Sequence, residues 1–165
     1  MWLMNALQER AAACARAGAV DETAPVIASA QITVEAPAQT VWEVLSQVEQ
    51  WPQFLPGVTR ARWTDQAYAA VPGARFSWAN AGIPVHSRIE VAEPGAELTW
   101  TGVALWLVAV HRNTLNPLSG DRCRLTSTES MAGPGAGLLM PAARLDAQLA
   151  EFVGAVAAEA SSRVA

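Results

Sequence analysis

Two stretches late in the chain each place two polar side chains at alternate positions, and each stretch includes one side chain that can move a proton. His111 and Asn113 stand two positions apart, as do Ser127 and Glu129. Residues two apart in a β-strand lie on the same face of a sheet. A histidine beside a carboxylate can act as a general acid and base, because the carboxylate fixes the ring tautomer and stabilises the imidazolium. Such proton transfer is worth roughly 100- to 10,000-fold in rate. The alternative is that His111 and Glu129 only satisfy each other across two strands, or face solvent.

The strands that carry these residues are predicted at 105–115 and 122–131, joined by a turn at Ser119-Gly120. A short turn makes them antiparallel neighbours. Matching apolar with apolar across the turn predicts three pairs: Leu115 with Leu125, Asn113 with Ser127, and His111 with Glu129. A slip of one residue would turn every side chain to the other face. The inward face of the first strand is then Leu107, Ala109, His111, Asn113 and Leu115.

Five earlier strands are predicted at about 28–35, 58–64, 74–79, 83–92 and 96–102. Asn80-Ala81-Gly82 and Pro94-Gly95 are the turn signals that join the last three. Alternation puts one set of residues of the fourth strand on its inward face: Val85, Ser87, Ile89 and Val91. Counting across the turns sets Leu98 and Trp100 beside Val91 and Ile89. The same count sets Leu107 and Ala109 beside Trp100 and Leu98.

The inward face is mostly apolar with a few convergent polar groups, which is typical of a small-molecule site. We therefore expect a cavity lined by residues of the strands, the loop after the first helix and the last helix: Phe54, Phe76, Trp78, Val85, Ser87, Ile89, Trp100, Leu107, Ser127, Leu145 and Leu149.

Helices are predicted at three places. Residues 2–17 form a helix that ends at Gly18, and an amphipathic helix begins at Ala38 and runs towards Trp51-Pro52. The last helix carries an apolar stripe at helical spacing, with Pro141 near its start: Leu138, Leu145, Leu149, Phe152 and Val156. We expect residues 1–24 to be an N-terminal helix and linker, and 25–165 to be one domain. The first helix docks on a second subunit, shields the cavity mouth or is disordered.

Composition argues against several classes of protein. The chain has 165 residues, a net charge of −4 and no lysine, and it lacks the basic stripe of a nucleic-acid binder. Arg60, Arg62 and Arg75 are interpreted as a solvated face. Cys14 and Cys123 have no metal-site or disulfide spacing, and the N-terminus resembles neither a signal peptide nor a membrane span, so a cytoplasmic protein is expected. No metal, cofactor or nucleotide motif is present.

Several segments together resemble the START-like superfamily (SRPBCC, Bet v 1-like), and most closely its polyketide cyclase/dehydrase branch. The resemblance covers roughly residues 28–160 and rests on Val41-Trp42-Glu43-Val44-Leu45, Trp51-Pro52, Pro56-Gly57, Pro72-Gly73-Ala74-Arg75-Phe76, Leu98-Thr99-Trp100-Thr101-Gly102, His111, and Glu129 followed by Gly133. It implies an α+β helix-grip fold. In that fold a curved seven-stranded antiparallel sheet wraps around a long C-terminal helix, two short helices follow the first strand, and a cavity lies inside.

The resemblance implies an enzyme that closes a ring and removes water from a hydrophobic polyketide-like intermediate held in the cavity. In that interpretation His111 is the acid and base, Glu129 orients it, and Asn113 with Ser127 donates to carbonyl oxygens. The alternative is a carrier or sensor without proton chemistry, which binds a lipid, a quinone or a polycyclic product. A carrier would depend more on Trp78 and Trp100.

A third interpretation is an interaction module. The outer face of the 105–115 strand carries Trp106, Val108 and Val110, an apolar patch that would suit a homodimer. The N-terminal helix would then belong to the same interaction surface.

Overall fold

A computed structural model describes residues 1–165. The alternating segments form seven strands: β1 (Val26–Val34), β2 (Val58–Thr64), β3 (Arg75–Asn80), β4 (Ile83–Glu93), β5 (Glu97–Ala104), β6 (Leu107–Leu118) and β7 (Arg122–Ala132). The helices are α1 (Trp2–Arg16), α2 (Ala38–Ser46), a 3-10 helix (Val48–Gln53), α3 (Ala136–Leu139) and α4 (Ala142–Arg163). The chain therefore contains every predicted strand and helix, and their bounds differ by a few residues.

The strands form one antiparallel sheet in the order β1-β7-β6-β5-β4-β3-β2. A ten-residue loop joins β2 to β3, short turns make β3 to β7 consecutive neighbours, and β1 pairs with β7. The β3–β4 turn is Ala81-Gly82, whose φ angles of 48° and 80° are both left-handed, as a two-residue hairpin turn requires. The helix-grip architecture is confirmed.

The main core lies between the sheet, α2 and the C-terminal half of α4. Val153 and Val156 of α4 pack in one cluster with Val41 and Val44 of α2 and with Leu98 of β5. The N-terminal half of α4 packs in a separate cluster, in which Leu145 and Leu149 meet residues of β1. Space therefore remains between this half of α4 and the strands that lie further from β1 in the sheet.

Pro141 separates α3 from α4, so the predicted apolar stripe does not include its first member. Leu138 lies in α3 and is 90% exposed, whereas Leu145 and Leu149 are buried. A proline disfavours helical backbone in the residue before it and lacks an N–H, so α3 ends before Pro141 and α4 begins after it. Leu138 and its neighbours are left at one end of the sheet.

Helix α1 packs on the convex face of the same chain. Ala11 and Ala15 contact Val108 and Val110, and the Arg16 guanidinium lies 3.0 Å from the Glu90 carboxylate. Of the three expectations for this helix, none describes this position. The predicted convex apolar patch is also wrong, because α1 covers its two valines and only Trp106 remains exposed. The homodimer stays a prediction without that patch to support it.

A bulge in β4 changes the predicted pairing with β5. Ile89 faces Trp100 as predicted, but the register shifts between Ile89 and Val91, so Leu98 faces Ala92 instead of Val91. The extra residue, Glu90, projects onto the convex face, where Arg16 and Arg88 bind it.

The β5–β6 pairing also differs from the prediction, because the turn lies at Leu105-Trp106. Leu107 and Ala109 face Ala104 and Gly102 instead of Trp100 and Leu98. The error is an even number of residues, so both side chains still point inward. The β6–β7 pairs are confirmed in full: Leu115 with Leu125, Asn113 with Ser127, and His111 with Glu129. None of the helices combines the length and apolar composition needed to cross a membrane.

Candidate active site

A cavity of about 470 Å³ lies between the N-terminal half of α4 and the inner face of β3 to β7. Most of its lining is apolar. The predicted residues that line it are Trp78, Val85, Trp100, Leu107, His111, Glu129, Leu145 and Leu149. The cavity is large enough for a small organic ligand, and its apolar wall with few polar groups is typical of such a site.

Six predicted site residues do not line the cavity: Phe54, Phe76, Ser87, Ile89, Asn113 and Ser127. Phe76 does not line the cavity because the Trp51 ring packs against it. The Trp51 ring centroid lies 5.4 Å from that of Phe76 and 5.3 Å from that of Trp100. These rings form a close-packed layer that closes one end of the cavity. Ile89 is fully buried in the main core cluster. Phe54, in the loop before β2, packs against that cluster.

Ser87 acts on the cavity wall indirectly. The Trp78 indole Nε1 donates a hydrogen bond of 3.1 Å to the Ser87 hydroxyl, which is itself buried. A buried indole N–H needs a partner, and this partner fixes the plane of the Trp78 ring. Ser87 therefore orients a wall residue and does not itself contact the cavity.

His111 is held between aromatic rings in the wall of the cavity. Its ring centroid lies 4.5 Å from that of Trp100 and 4.9 Å from that of Phe152. The Nε2 atom forms a hydrogen bond of 2.6 Å with the Ser127 hydroxyl. The Nδ1 atom lies 3.8 Å from Glu129 Oε2, which is too long for a hydrogen bond.

Burial, and not ion pairing, controls the protonation of these two groups. It lowers the pKa of His111 to about 3 and raises the pKa of Glu129 to about 7, because the charged form of each loses water. A separation of 3.8 Å would favour an ion pair, but neither charge receives a hydrogen bond from the other. We therefore expect a neutral His111 and a Glu129 carboxyl that exchanges its proton near neutral pH.

The two remaining polar residues form a second layer behind the wall. Ser127 is fully buried, and the hydrogen bond to His111 occupies its hydroxyl. Asn113 Nδ2 donates to the Leu98 carbonyl at 3.2 Å, whereas its Oδ1 is buried without a partner. Neither side chain reaches the cavity, so neither can donate directly to a ligand carbonyl as the sequence analysis expected.

Further residues on α4, on β7 and at the mouth line the cavity although the sequence did not predict them. Arg144, Gln148, Glu151 and Phe152 lie on α4. Met140 lies just before α4, and Met131 lies on β7. Arg144 and Gln148 directly precede the predicted lining residues Leu145 and Leu149. Their positions next to the apolar stripe of the helix could therefore have predicted that they line the cavity. No group of three or more His, Cys, Asp or Glu side chains is placed to hold a metal ion.

Comparisons with solved structures show the fold. A hypothetical protein from Helicobacter pylori is 18% identical, with a TM-score of 0.75 over 85% of this chain and 90% of its own. The Zhui aromatase/cyclase from Streptomyces sp. R1128 is 20% identical, with a TM-score of 0.68 over 84% of this chain and 95% of its own. A START superfamily protein from Mycobacterium smegmatis is 15% identical, with a TM-score of 0.64 over 84% and 96%.

Sequence comparison gives the family. No curated protein matches the chain. Residues 25–161 match the family described as polyketide cyclase/dehydrase and lipid transport, and this match spans the sheet, α2, α4 and the cavity. The chain therefore belongs to the polyketide cyclase/dehydrase and lipid transport family.

Proposed function

We propose that the protein is a cyclase/dehydratase that acts on a hydrophobic polyketide-like intermediate in its cavity. The observation that carries the proposal is the Glu129 carboxyl, which lines an apolar cavity with a pKa raised to about 7. A group with a pKa near the operating pH can both accept and return a proton. Membership of the family and the likeness to an aromatase/cyclase support the same reaction class.

Glu129 is the proposed proton carrier. Its carboxylate removes a proton from the carbon next to a carbonyl, and the resulting enolate attacks a second carbonyl of the same chain to form a carbon–carbon bond. The alkoxide that forms takes the proton back. The Glu129 carboxylate then removes a second proton from the same carbon. The electron pair left on that carbon forms the double bond as the hydroxyl departs, and the hydroxyl leaves as water with the proton that Glu129 has just taken. Atoms and charges balance, and no oxidant or cofactor is consumed.

His111 has a different proposed role from the one that the sequence suggested. With its pKa lowered to about 3, it stays neutral, and its Nδ1 atom offers the substrate a hydrogen bond beside Glu129. Its ring is fixed by Ser127 and by the rings of Trp100 and Phe152. The aromatic walls hold one conformation of the substrate chain, and this orientation brings its reacting carbons together.

The test is to incubate the protein with an organic extract of its source cells and to identify bound and released compounds by mass spectrometry. We expect wild-type protein to convert a compound to an isomer or to a product lighter by one water. Glu129→Gln should bind the compound and leave it unchanged. Glu151→Gln is the matched control, because this carboxylate also lines the cavity but is exposed.

A carrier of an apolar ligand is the second candidate function. The mostly apolar lining and the lipid transport part of the family description favour it. A compound that stays bound and unchanged in wild-type protein, with equal binding to Glu129→Gln, would support the carrier. In that case Trp78→Ala would weaken binding, because this side chain forms a large part of the wall.

A further inference from the structure

The mouth of the cavity is surrounded by segments that carry no charged residue. They are 54–58, 81–85, 103–107 and 131–143. We call them the rim. Leu105 and Leu138 of the rim are 62% and 90% exposed, and three further apolar side chains there are also exposed: Ile83, Trp106 and Leu139. Exposed apolar surface of this kind marks an interaction site.

The rim is a continuous surface. The Trp106 indole Nε1 donates to the Pro134 carbonyl at 2.9 Å, which joins the β5–β6 turn to the segment before α3. The β4–β5 pairing of His86 with Val103 places the β3–β4 turn and the β5–β6 turn at the same end of the sheet. Ile83, Leu105 and Leu139 also line the cavity, so the apolar surface leads directly into it.

The rim offers almost nothing for a partner to hydrogen-bond. Its only polar side-chain group is the Trp106 indole, and this donor is already used. Specific protein–protein interfaces carry about one hydrogen bond per 100–200 Å². A bilayer needs none, and tryptophan is enriched at the depth of lipid headgroups.

Two arginines lie directly beside the rim, and the exposed acids of α4, Asp146 and Glu151, lie further along that helix. Arg144 follows the rim segment before α4, Arg60 follows the one at the start of β2, and both side chains are exposed. Arginines placed just outside an inserted apolar surface attract anionic headgroups. The cavity ligand could then enter from the hydrocarbon without crossing water.

We propose that the rim docks the protein on the surface of an anionic lipid bilayer, with Leu105, Leu138 and Trp106 inserted among the headgroups. Docking would let the cavity load or release an apolar ligand, and this use rests on the proposed function of the cavity. The docking itself does not, because it needs no ligand. Failure of one proposal is therefore distinguishable from failure of the other.

The test is flotation with vesicles of phosphatidylcholine alone and of phosphatidylcholine mixed with phosphatidylglycerol. We expect wild-type protein to float with the mixed vesicles. Leu105→Asp and Leu138→Asp should each lower the partition constant for the vesicles by about tenfold or more, since a buried leucine contributes about 1.5–3 kcal/mol to transfer. Arg144→Gln should lower binding to the mixed vesicles only.

Tyr68→Asp is the matched control. This side chain is 89% exposed and lies between β2 and β3, at the opposite end of these strands from the mouth. It should float as wild type does. Absence of flotation, or an equal loss in Tyr68→Asp, would overturn the proposal. Conversion of a dimer to a monomer by the rim variants, without vesicle binding, would show that a second copy covers the rim.

Discussion

His111 and Glu129 face each other across β6 and β7 without a hydrogen bond, with Nδ1 and Oε2 3.8 Å apart. His111 instead uses its other nitrogen to bond Ser127, which lies behind the wall. The carboxyl of Glu129 is thus left free towards the cavity. Because burial raises the pKa of Glu129 to about 7 and lowers that of His111 to about 3, we expect Glu129, and not His111, to exchange a proton near neutral pH.

The pH dependence of stability should report the Glu129 carboxyl. Unfolded Glu129 loses its proton near 4.5, whereas the folded state keeps it until its pKa of about 7. Between these values the unfolded state binds fewer protons at Glu129, so the contribution of this group to the free energy of unfolding falls as pH rises, by about 3 kcal/mol in total. His111, whose pKa is lowered to about 3, contributes in the opposite direction, and this contribution is common to wild type and to Glu129→Gln. Glutamine does not titrate, so Glu129→Gln removes this contribution.

Urea unfolding at pH 4 and pH 8 measures the effect. Relative to wild type, Glu129→Gln should be more stable at pH 8 than at pH 4, by up to about 3 kcal/mol. Glu151→Gln, at an exposed carboxylate of the same cavity, is the matched control. A constant difference between wild type and Glu129→Gln at both pH values would contradict the raised pKa.

The hydrogen bond between Ser127 and His111 should contribute to stability and fix the histidine tautomer. Ser127→Ala leaves a buried ring nitrogen without its partner at 2.6 Å, which costs about 1–3 kcal/mol of the free energy of unfolding. Nitrogen NMR of the imidazole should show one tautomer in wild type and a mixture in the variant. Thr128→Ala, on the outer face of the next position, should leave the imidazole spectrum unchanged. Identical spectra for wild type and Ser127→Ala would remove this role.

Helix α1 should be needed to cover the convex face. A chain that begins at Ala24 would expose Val108 and Val110 and would leave the buried Glu90 without Arg16. We expect it to unfold at lower urea concentration and to elute earlier in size-exclusion chromatography, because exposed apolar surface promotes association. Arg16→Ala is the control, because it removes the contact with Glu90 but keeps α1 in place. This variant should be less stable than wild type and should elute at the same volume. An unchanged elution volume and midpoint for the shortened chain would contradict the prediction.

Alternation of polar and apolar residues was enough to predict the sheet and the pair of His111 with Glu129. The period of two fixes the face, and a short turn fixes the neighbour. The same reasoning failed at Glu90, because a bulge adds a residue that no local pattern announces. It also failed to predict the depth of Asn113 and Ser127, since alternation gives a side chain's face but not whether a neighbouring ring covers it.

The helices were harder to place than the strands for a related reason. An amphipathic pattern predicted α1, yet nothing in its own residues identified the surface that it covers. The apolar convex face of β6 was read as a partner surface, and its partner is α1 of the same chain. Long-range contacts of this kind depend on the whole fold, and no sequence spacing records them.

Gly133 should be essential for the shape of the rim. Its φ is 144°, and a Cβ at this position would lie 2.6 Å from the Trp106 carbonyl oxygen. Gly133→Ala must therefore strain the backbone, at about 1–3 kcal/mol, and also push the β5–β6 turn away from Pro134. Gly137→Ala is the matched control, because a Cβ there meets nothing within 4 Å and α3 accepts alanine. Thermal unfolding should show a lower midpoint for Gly133→Ala and an equal or higher one for Gly137→Ala. Equal midpoints for wild type and Gly133→Ala would mean that the turn at Leu105-Trp106 can move freely, and the continuity of the rim would then not be fixed by this contact.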